Sequence, residues 1–424
     1  MEILRYNDID LSQTVKRSEE DVDNVLDSVS DILKNVRKNK DSAIRDYTEK
    51  FDQVTIDNLK VTNDEIKDAY NTIDNDLLEA LKKAAKNIEK FHKKEIPEEW
   101  ELKITEGITA GQIVRPINSV GCYIPGGRAV YPSTILMTVI PAKIAGVKKI
   151  ICCSPPQKDG KIGNAILVAA DLAGADEIYK VGGAQAIGAM AYGTQSIPKV
   201  EKIVGPGNIF VTAAKKLVFG QVDIEFPAGP SEVLILGDDT ANPEFIATDI
   251  LSQAEHDPKA SCFLITDNST LANKVLEIVN EKLEKSPRKE IIKEALKNNG
   301  KIIITENFQD AIYATNEYAP EHLVIMTKDD KKVLSQINNA GSIFLGKYSP
   351  VACGDYGSGT NHVLPTGGCA KMYSGLSTES FIKKPTVQKI TSKGLEKIAS
   401  TCIPIAEYEG LYAHVDSIKT RLKK

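Results

Sequence analysis

Four of the five histidines in this chain sit in polar, turn-rich segments beside acids or amides. They are His256 in SQAEHDP, His322 in APEHL, His362 in SGTNHVLP and His414 in YAHVD. Histidine titrates near neutral pH and its ring nitrogens ligate divalent metals, so this clustering points to metal binding or proton transfer and reads as an enzyme. His92, in a lysine-rich helical stretch, reads as a surface residue.

Gln253 and His256 are three apart and close a helix that begins near Pro243, which would put both side chains on one face of its last turn. A carbonyl oxygen and an imidazole nitrogen so placed can hold a cation, although the same pattern also describes a histidine stabilised by a helix C-terminus. Glu321 and His322 are adjacent. In a strand or strand entry they would point in opposite directions and serve separate proton-transfer steps; the alternative is plain polarity at a strand start. In the segment 354–362 three glycines in six residues allow the backbone to bend around a bound group while presenting Asp355 and His362. Glu409 and His414, taken alone, read as an exposed helix face.

Four glycine clusters fall where strands should end in turns: Gly121 to Gly127, Gly182-Gly183-Ala184-Gln185, Gly205-Pro206-Gly207-Asn208 and Ala228-Gly229-Pro230-Ser231. Such strand ends are where parallel sheets bind nucleotides. GPGNIF has Phe210 where the dinucleotide fingerprint needs its third glycine, so this segment alone does not specify NAD.

The elements that must position these residues follow from periodicity. Val22, Val25, Leu26, Val29, Ile32, Leu33 and Val36 mark one helical stripe, and Leu77, Leu78, Leu81, Ala84, Ala85 and Ile88 a second. Both predict scaffold helices. Short β-like runs cover 102–117, and VGCYIPGG reads as a strand entering a turn. Apolar runs at 148–153, 177–181, 232–237, 262–266, 301–305 and 322–326 alternate with helical stretches, which predicts βαβ units with parallel strands. Beyond about Lys383 the spacing is helical again.

A length of 424 residues implies more than one domain. With 42% hydrophobic and 26% charged residues and a net charge of −5, the composition is that of a globular protein with no electrostatic footprint for nucleic acid. The longest uncharged stretch, 181–198, is broken by Gly, Gln, Ser and Thr, so no membrane span is expected. MEILRYNDIDLSQ has no basic or apolar leader region, and the seven cysteines form no CxxC pair, which together predict free thiols and a cytoplasmic location.

VGCYIPGG, VGGAQAI, GPGN, PAGPSEV, SQAEHDP, APEHL and GDYGSGTNHVLPTGG occur in the order and approximate spacing of the histidinol dehydrogenase family, which the chain resembles from about Val120 to its end. The resemblance implies an NAD-dependent homodimer, with one zinc per subunit, that oxidises L-histidinol to L-histidine in two hydride transfers at the end of histidine biosynthesis. It implies Gln253, His256, Asp355 and His414 as metal ligands, Glu321 and His322 as the catalytic acid/base pair, and Tyr123, Gln185 and Asn208 as cofactor contacts. Ser231, His362 and Glu409 would join the metal ligands and His322 in holding substrate. Glu409 and His414 would complete the site of the partner subunit.

The fold implied is α/β, with two incomplete Rossmann-like α/β domains, a helical N-terminal region and a small C-terminal tail domain. The division expected is an arm at 1–20, a helical region 21–118 packing with 236–382 as one α/β domain, a second domain at 119–235, and a tail at 383–424. Two rivals remain: a zinc-dependent hydrolase or lyase with no nicotinamide step, and a non-catalytic metal-binding relative. A different mechanism would pass through a thioester on Cys152 or Cys153; since adjacent strand residues face opposite ways, one of the two should be buried.

Overall fold

The computed structural model describes residues 1–11, 22–126, 131–226 and 229–423. Gly127 and Ala228 of the glycine clusters, and much of the expected N-terminal arm, lie outside the described residues. Two parallel sheets carry the molecule. In the first, the strands Glu177–Lys180, Lys149–Ser154, Ser119–Tyr123, Lys202–Val204 and Asp223–Ile224 lie side by side, all parallel. Numbered by their order in the chain, the spatial order is 3-2-1-4-5, that of a Rossmann-type sheet lacking its sixth strand. The second sheet repeats the order with Gly300–Ile304, Ser261–Thr266, Glu232–Gly237, His322–Met326 and Ser342–Leu345. An extra parallel strand, Glu2–Arg5, extends its edge beside Gly300–Ile304. The fold is thus α/β with two Rossmann-like units, as expected.

The local causes are plain. Runs such as EVLILG, SCFLIT and HLVIM are apolar at nearly every position because parallel strands are covered on both faces, and Glu232–Gly237 is buried along its whole length. Helices start on side-chain caps: Asn242, Asn268 and Asn307 each accept a backbone N–H of the first turn, and Thr62 with Glu65 forms a reciprocal capping box.

The helical N-terminal region packs chiefly on the first sheet; of the 236–382 unit expected from the sequence, it meets the stretch 357–381, through helix Asn75–His92. Val29, Leu33 and Val36 of helix Leu26–Asn39 share a core with Ile151, Tyr179 and Ile187. Leu81 and Ile88 of helix Asn75–His92 share another with Ile135, Leu136 and Val168. The reason is shape. Helix Gly183–Tyr192 is built largely of small residues, and a Cβ on its Gly188 would stand 3.0 Å from Leu33 Cδ2 and 3.3 Å from Val36 Cγ1, so any larger residue there would push the stripe back.

Residues after Lys383 also differ from expectation. Before the tail helices Ser392–Tyr408 and Tyr412–Leu422, Thr386–Ile390 forms a strand antiparallel to Ile108–Gln112, which pairs in turn with Trp100–Thr105. That pairing joins segments too far apart in sequence to leave a local signal. Among the described residues, no helix is long and apolar enough to cross a membrane.

Candidate active site

Residues able to move protons gather at the amino end of the six-stranded sheet. Glu321 immediately precedes the strand His322–Met326, and His322 is its first residue. Both are buried, at 5% and 4% exposure. The parallel register sets Val233 beside His322, so the backbone of Glu232 meets both side chains. Glu232 N–H donates to Glu321 Oε2 at 2.7 Å, and His322 Nδ1 lies 2.9 Å from the Glu232 carbonyl oxygen. The expectation that Glu321 and His322 point apart is corrected: Glu321 Oε2 stands 3.3 Å from His322 Nδ1. Strand alternation does not govern Glu321, because it follows Ala319, with its left-handed backbone (φ 51°), and Pro320 outside the strand.

Asp355, in the short helix Val351–Tyr356, puts Oδ1 3.7 Å from His322 Nε2, a separation for charge attraction and too long for a hydrogen bond. His322 Nε2 is buried without a hydrogen-bond partner among the described residues. Burial alone would lower the His322 pKa, but the charges of Glu321 and Asp355 outweigh it and raise it well above its ordinary value. Burial works the other way on Asp355, and His322, followed by His362 and His256, holds its carboxyl below the usual range. Burial lowers the His362 pKa despite Asp355 nearby.

His362 Nδ1 is 2.9 Å from the carbonyl oxygen of Asp355, and its Nε2 is 3.3 Å from Thr134 Oγ1. Thr134 lies in the first turn of helix Pro132–Ala145, which follows the central strand of the five-stranded sheet. His362 therefore ties the amino edge of one sheet to the carboxyl side of the other. Gln253 is buried near the end of helix Pro243–Ala254, and half-buried His256 stands in the turn just beyond it, its N–H bonded to the Gln253 carbonyl. Ser231 leads into strand Glu232–Gly237 and is half-buried.

The tail residues stand apart. Glu409 caps helix Ser392–Tyr408 and His414 lies in helix Tyr412–Leu422; both are exposed, and neither hydrogen-bonds another site residue. Among the described residues of this single chain, no three His, Cys, Asp or Glu side chains form a group that could hold a metal ion. His256 and Asp355 supply an imidazole and a carboxylate, with the Gln253 amide close in sequence. These are donors suited to a borderline divalent ion, and the set is short of a fourth ligand.

The expected cofactor residues cluster at the carboxyl edge of the five-stranded sheet, around the point where strand order reverses between Ser119–Tyr123 and Lys202–Val204. Tyr123 ends its strand, and its hydroxyl accepts the Gly183 N–H at 3.0 Å; burial pushes its pKa up to about 12. Gln185 is buried in the first turn of helix Gly183–Tyr192, its Oε1 without a hydrogen-bond partner among the described residues. Asn208 caps helix Ile209–Val218, its Oδ1 accepting the N–H groups of Phe210 and Val211. Two helix N-termini thus open on this edge, a setting suited to a pyrophosphate.

Sequence reasoning missed Glu232, whose backbone holds Glu321 and His322 and whose Oε1 accepts the Gly367 N–H at 3.0 Å; an acid opening the apolar run EVLILG was the available sign. It also missed His92. Expected on the surface, His92 is 0% exposed. It falls four residues after Ile88 on the buried stripe, which was the available sign. Its Nδ1 is 2.6 Å from Glu95 Oε2 and its Nε2 3.3 Å from Asn361 Nδ2, next to His362 in the chain. Cys152 and Cys153 are both fully buried, because the sheet is covered on both faces, so the expectation of a single buried thiol is corrected. The neighbouring Cys122 and burial hold the Cys152 pKa well above its ordinary value, and burial does the same for Cys153.

A family model described as histidinol dehydrogenase matches residues 15–422. A histidinol dehydrogenase of Methanothermobacter thermautotrophicus is 59% identical over 423 residues, covering 100% of this chain and 99% of its own length. One from Methanococcus maripaludis is 55% identical, covering 99% of each. The crystal structure of histidinol dehydrogenase from Elizabethkingia anophelis is similar throughout, with a TM-score of 0.94 and 42% identity over 100% of this chain and 98% of that one.

Proposed function

The chain belongs to the histidinol dehydrogenase family, an NAD-dependent oxidoreductase family of histidine biosynthesis, and we propose that Glu321 and His322 are the pair through which it oxidises L-histidinol to L-histidine. The observation that carries this reading is His322 itself, anchored through Nδ1 to the Glu232 carbonyl, with Nε2 buried and without a hydrogen-bond partner among the described residues.

A carbonyl can only accept, so the ring keeps its proton on Nδ1; because Glu321 and Asp355 raise its pKa, His322 offers Nε2 as a base once the Nε2 proton has been released. Nε2 takes the proton of the substrate alcohol as hydride leaves the same carbon for NAD, giving an aldehyde, NADH and one proton. Glu321 accepts a proton from the water that hydrates the aldehyde, and that proton passes on to the former carbonyl oxygen, giving the neutral hydrate. His322, having released its first proton, takes the hydroxyl proton of the hydrate as the second hydride leaves, giving the carboxylic acid. His362, Ser231 and, from a second copy of the chain, Glu409 hold the substrate; alignment of this kind favours a site built between two rigid units.

Gln253, His256 and Asp355, with His414 from that second copy, are the residues that would hold one zinc ion per subunit. Bound there, zinc would orient the substrate through its imidazole nitrogen and amine. Tyr123, Gln185 and Asn208 are assigned to NAD, supported by their place at the strand-order reversal and by the open Gln185 Oε1. The homodimer is supported by the tail 383–424, whose Tyr408, Tyr412 and Ile405 are 95%, 68% and 55% exposed, large apolar side chains that a partner would cover. A cytoplasmic location is supported by the seven free thiols.

The deciding experiment is stoichiometric: with L-histidinol as substrate, two NADH should form for each L-histidine. Consumption of histidinol without NADH would favour the hydrolase or lyase reading.

A further inference from the structure

A buried ion pair lies beneath the Gly205–Asn208 turn, and no step above uses it. Lys215, on helix Ile209–Val218, pairs with Glu225, which follows the edge strand Asp223–Ile224; their side chains are 5% and 1% exposed. The pair holds both polar backbone groups of one residue. Gly205 N–H donates to Glu225 Oε1 at 2.9 Å, and the Gly205 carbonyl accepts from Lys215 Nζ at 3.0 Å.

Gly205 is in a backbone conformation closed to other residues, with φ at +116°, and a Cβ there would stand 2.1 Å from the carbonyl oxygen of Tyr123. One residue clamped on both sides therefore sets two distances at once: the approach of the turn to Tyr123, and the start of the chain that three residues later caps a helix with Asn208. That helix returns Lys215 to the turn, closing a ring of turn, helix and ion pair.

Stability alone is a weak reason for such a pair. Two charges brought out of water recover little net free energy unless every lone pair is satisfied, and Glu225 Oε2 is buried without a hydrogen-bond partner among the described residues. Placing a backbone segment is a task the pair performs directly.

We propose that Lys215 and Glu225 are positioning residues for the cofactor: they fix the Gly205 peptide so that Tyr123 and Asn208 meet NAD at the reversal of the five-stranded sheet. This rests on the reading that Tyr123 and Asn208 contact NAD. Neither charged group touches cofactor or substrate in the proposal.

The test compares NAD and L-histidine binding by calorimetry, with steady-state kinetics, in full-length Lys215→Met and Asn208→Ala. Lys215→Met should raise both the Kd and the KM for NAD by about tenfold, leaving kcat at saturating NAD and the affinity for L-histidine near their starting values. Unchanged NAD affinity with a lowered melting temperature would make the pair purely structural and overturn the proposal. If Asn208→Ala weakens NAD and Lys215→Met does not, the positioning role fails while the cofactor reading stands. If Asn208→Ala leaves NAD binding intact, the cofactor reading fails and takes the proposal with it. Should Lys215→Met not fold, Lys215→Met with Glu225→Gln leaves no buried charge and keeps an acceptor for Gly205 N–H; the same loss of NAD affinity is expected there. Failure of that variant to fold would assign the pair to folding and overturn the proposal.

Discussion

The imidazole Nδ1 of His322 lies 2.9 Å from the backbone carbonyl oxygen of Glu232, ninety residues away in sequence. The same residue donates its N–H to Glu321 Oε2 at 2.7 Å. One position at the start of a buried strand thus orients both members of the pair, and the parallel register of Val233 with His322 is what delivers it. Orientation by backbone is rigid, since neither group can turn without breaking the ladder.

Replacing Glu321 by glutamine keeps an acceptor for the Glu232 N–H but removes the proton acceptor. Oxidation of the aldehyde should slow by about 10²–10⁴-fold, with a smaller effect on alcohol oxidation. Separate assays of the two half-reactions decide this; equal losses would refute the division of labour.

A site shared between chains predicts complementation. His322→Ala and His414→Ala subunits, each inactive alone, should regain activity on mixing, because each mixed dimer has one of its two sites complete. Activity that stays absent in mixtures shown by mass to contain mixed dimers would remove the exchanged tail from the reading.

The thiols should be dispensable. Cys152→Ser with Cys153→Ser should turn over within a few-fold of the parent enzyme, provided the fold tolerates two buried hydroxyls, which melting curves will show. A loss of several orders of magnitude in a folded variant with metal still bound would revive a thioester route.

Asp52 offers a test of stability against pH. Burial raises its pKa from the ordinary 3.8 to about 6, and its Oδ2 is buried without a hydrogen-bond partner among the described residues. In the acid range both states carry the proton and no penalty exists. Between about pH 4 and 6 the unfolded chain ionises first, so stability falls as pH rises, and above about pH 6 the full penalty applies. Asp52→Asn should therefore stabilise the protein by roughly 1–2 kcal/mol at neutral pH, after allowance for its partial exposure, and by less at about pH 5. Urea melts at the two pH values measure it, and an equal effect at both would exclude the titration.

Much of the fold was legible in the chain. Alternating apolar runs and helical stretches gave parallel βαβ units because each pattern repeats within one element, and EVLILG and HLVIM are strands where expected. The histidine segments were legible as chemistry for a similar reason: residue types beside turns are local facts. The helical stripe through Val29, Leu33 and Val36 was also correct, but which surface it covers was not written in it.

By itself, then, the sequence determined the fold class, the order of the elements and the side chains able to bind metal or move protons. The tertiary structure alone decided that Glu321 touches His322, that His92 is buried against Asn361, that both cysteines of KIICCS are enclosed, and that Thr386–Ile390 is a strand. The first follows from the left-handed Ala319 and Pro320, which leave Glu321 outside the strand where the Glu232 N–H holds it. The other three depend on surfaces brought from far along the chain, and periodicity within one element says which face is apolar without saying what will meet it.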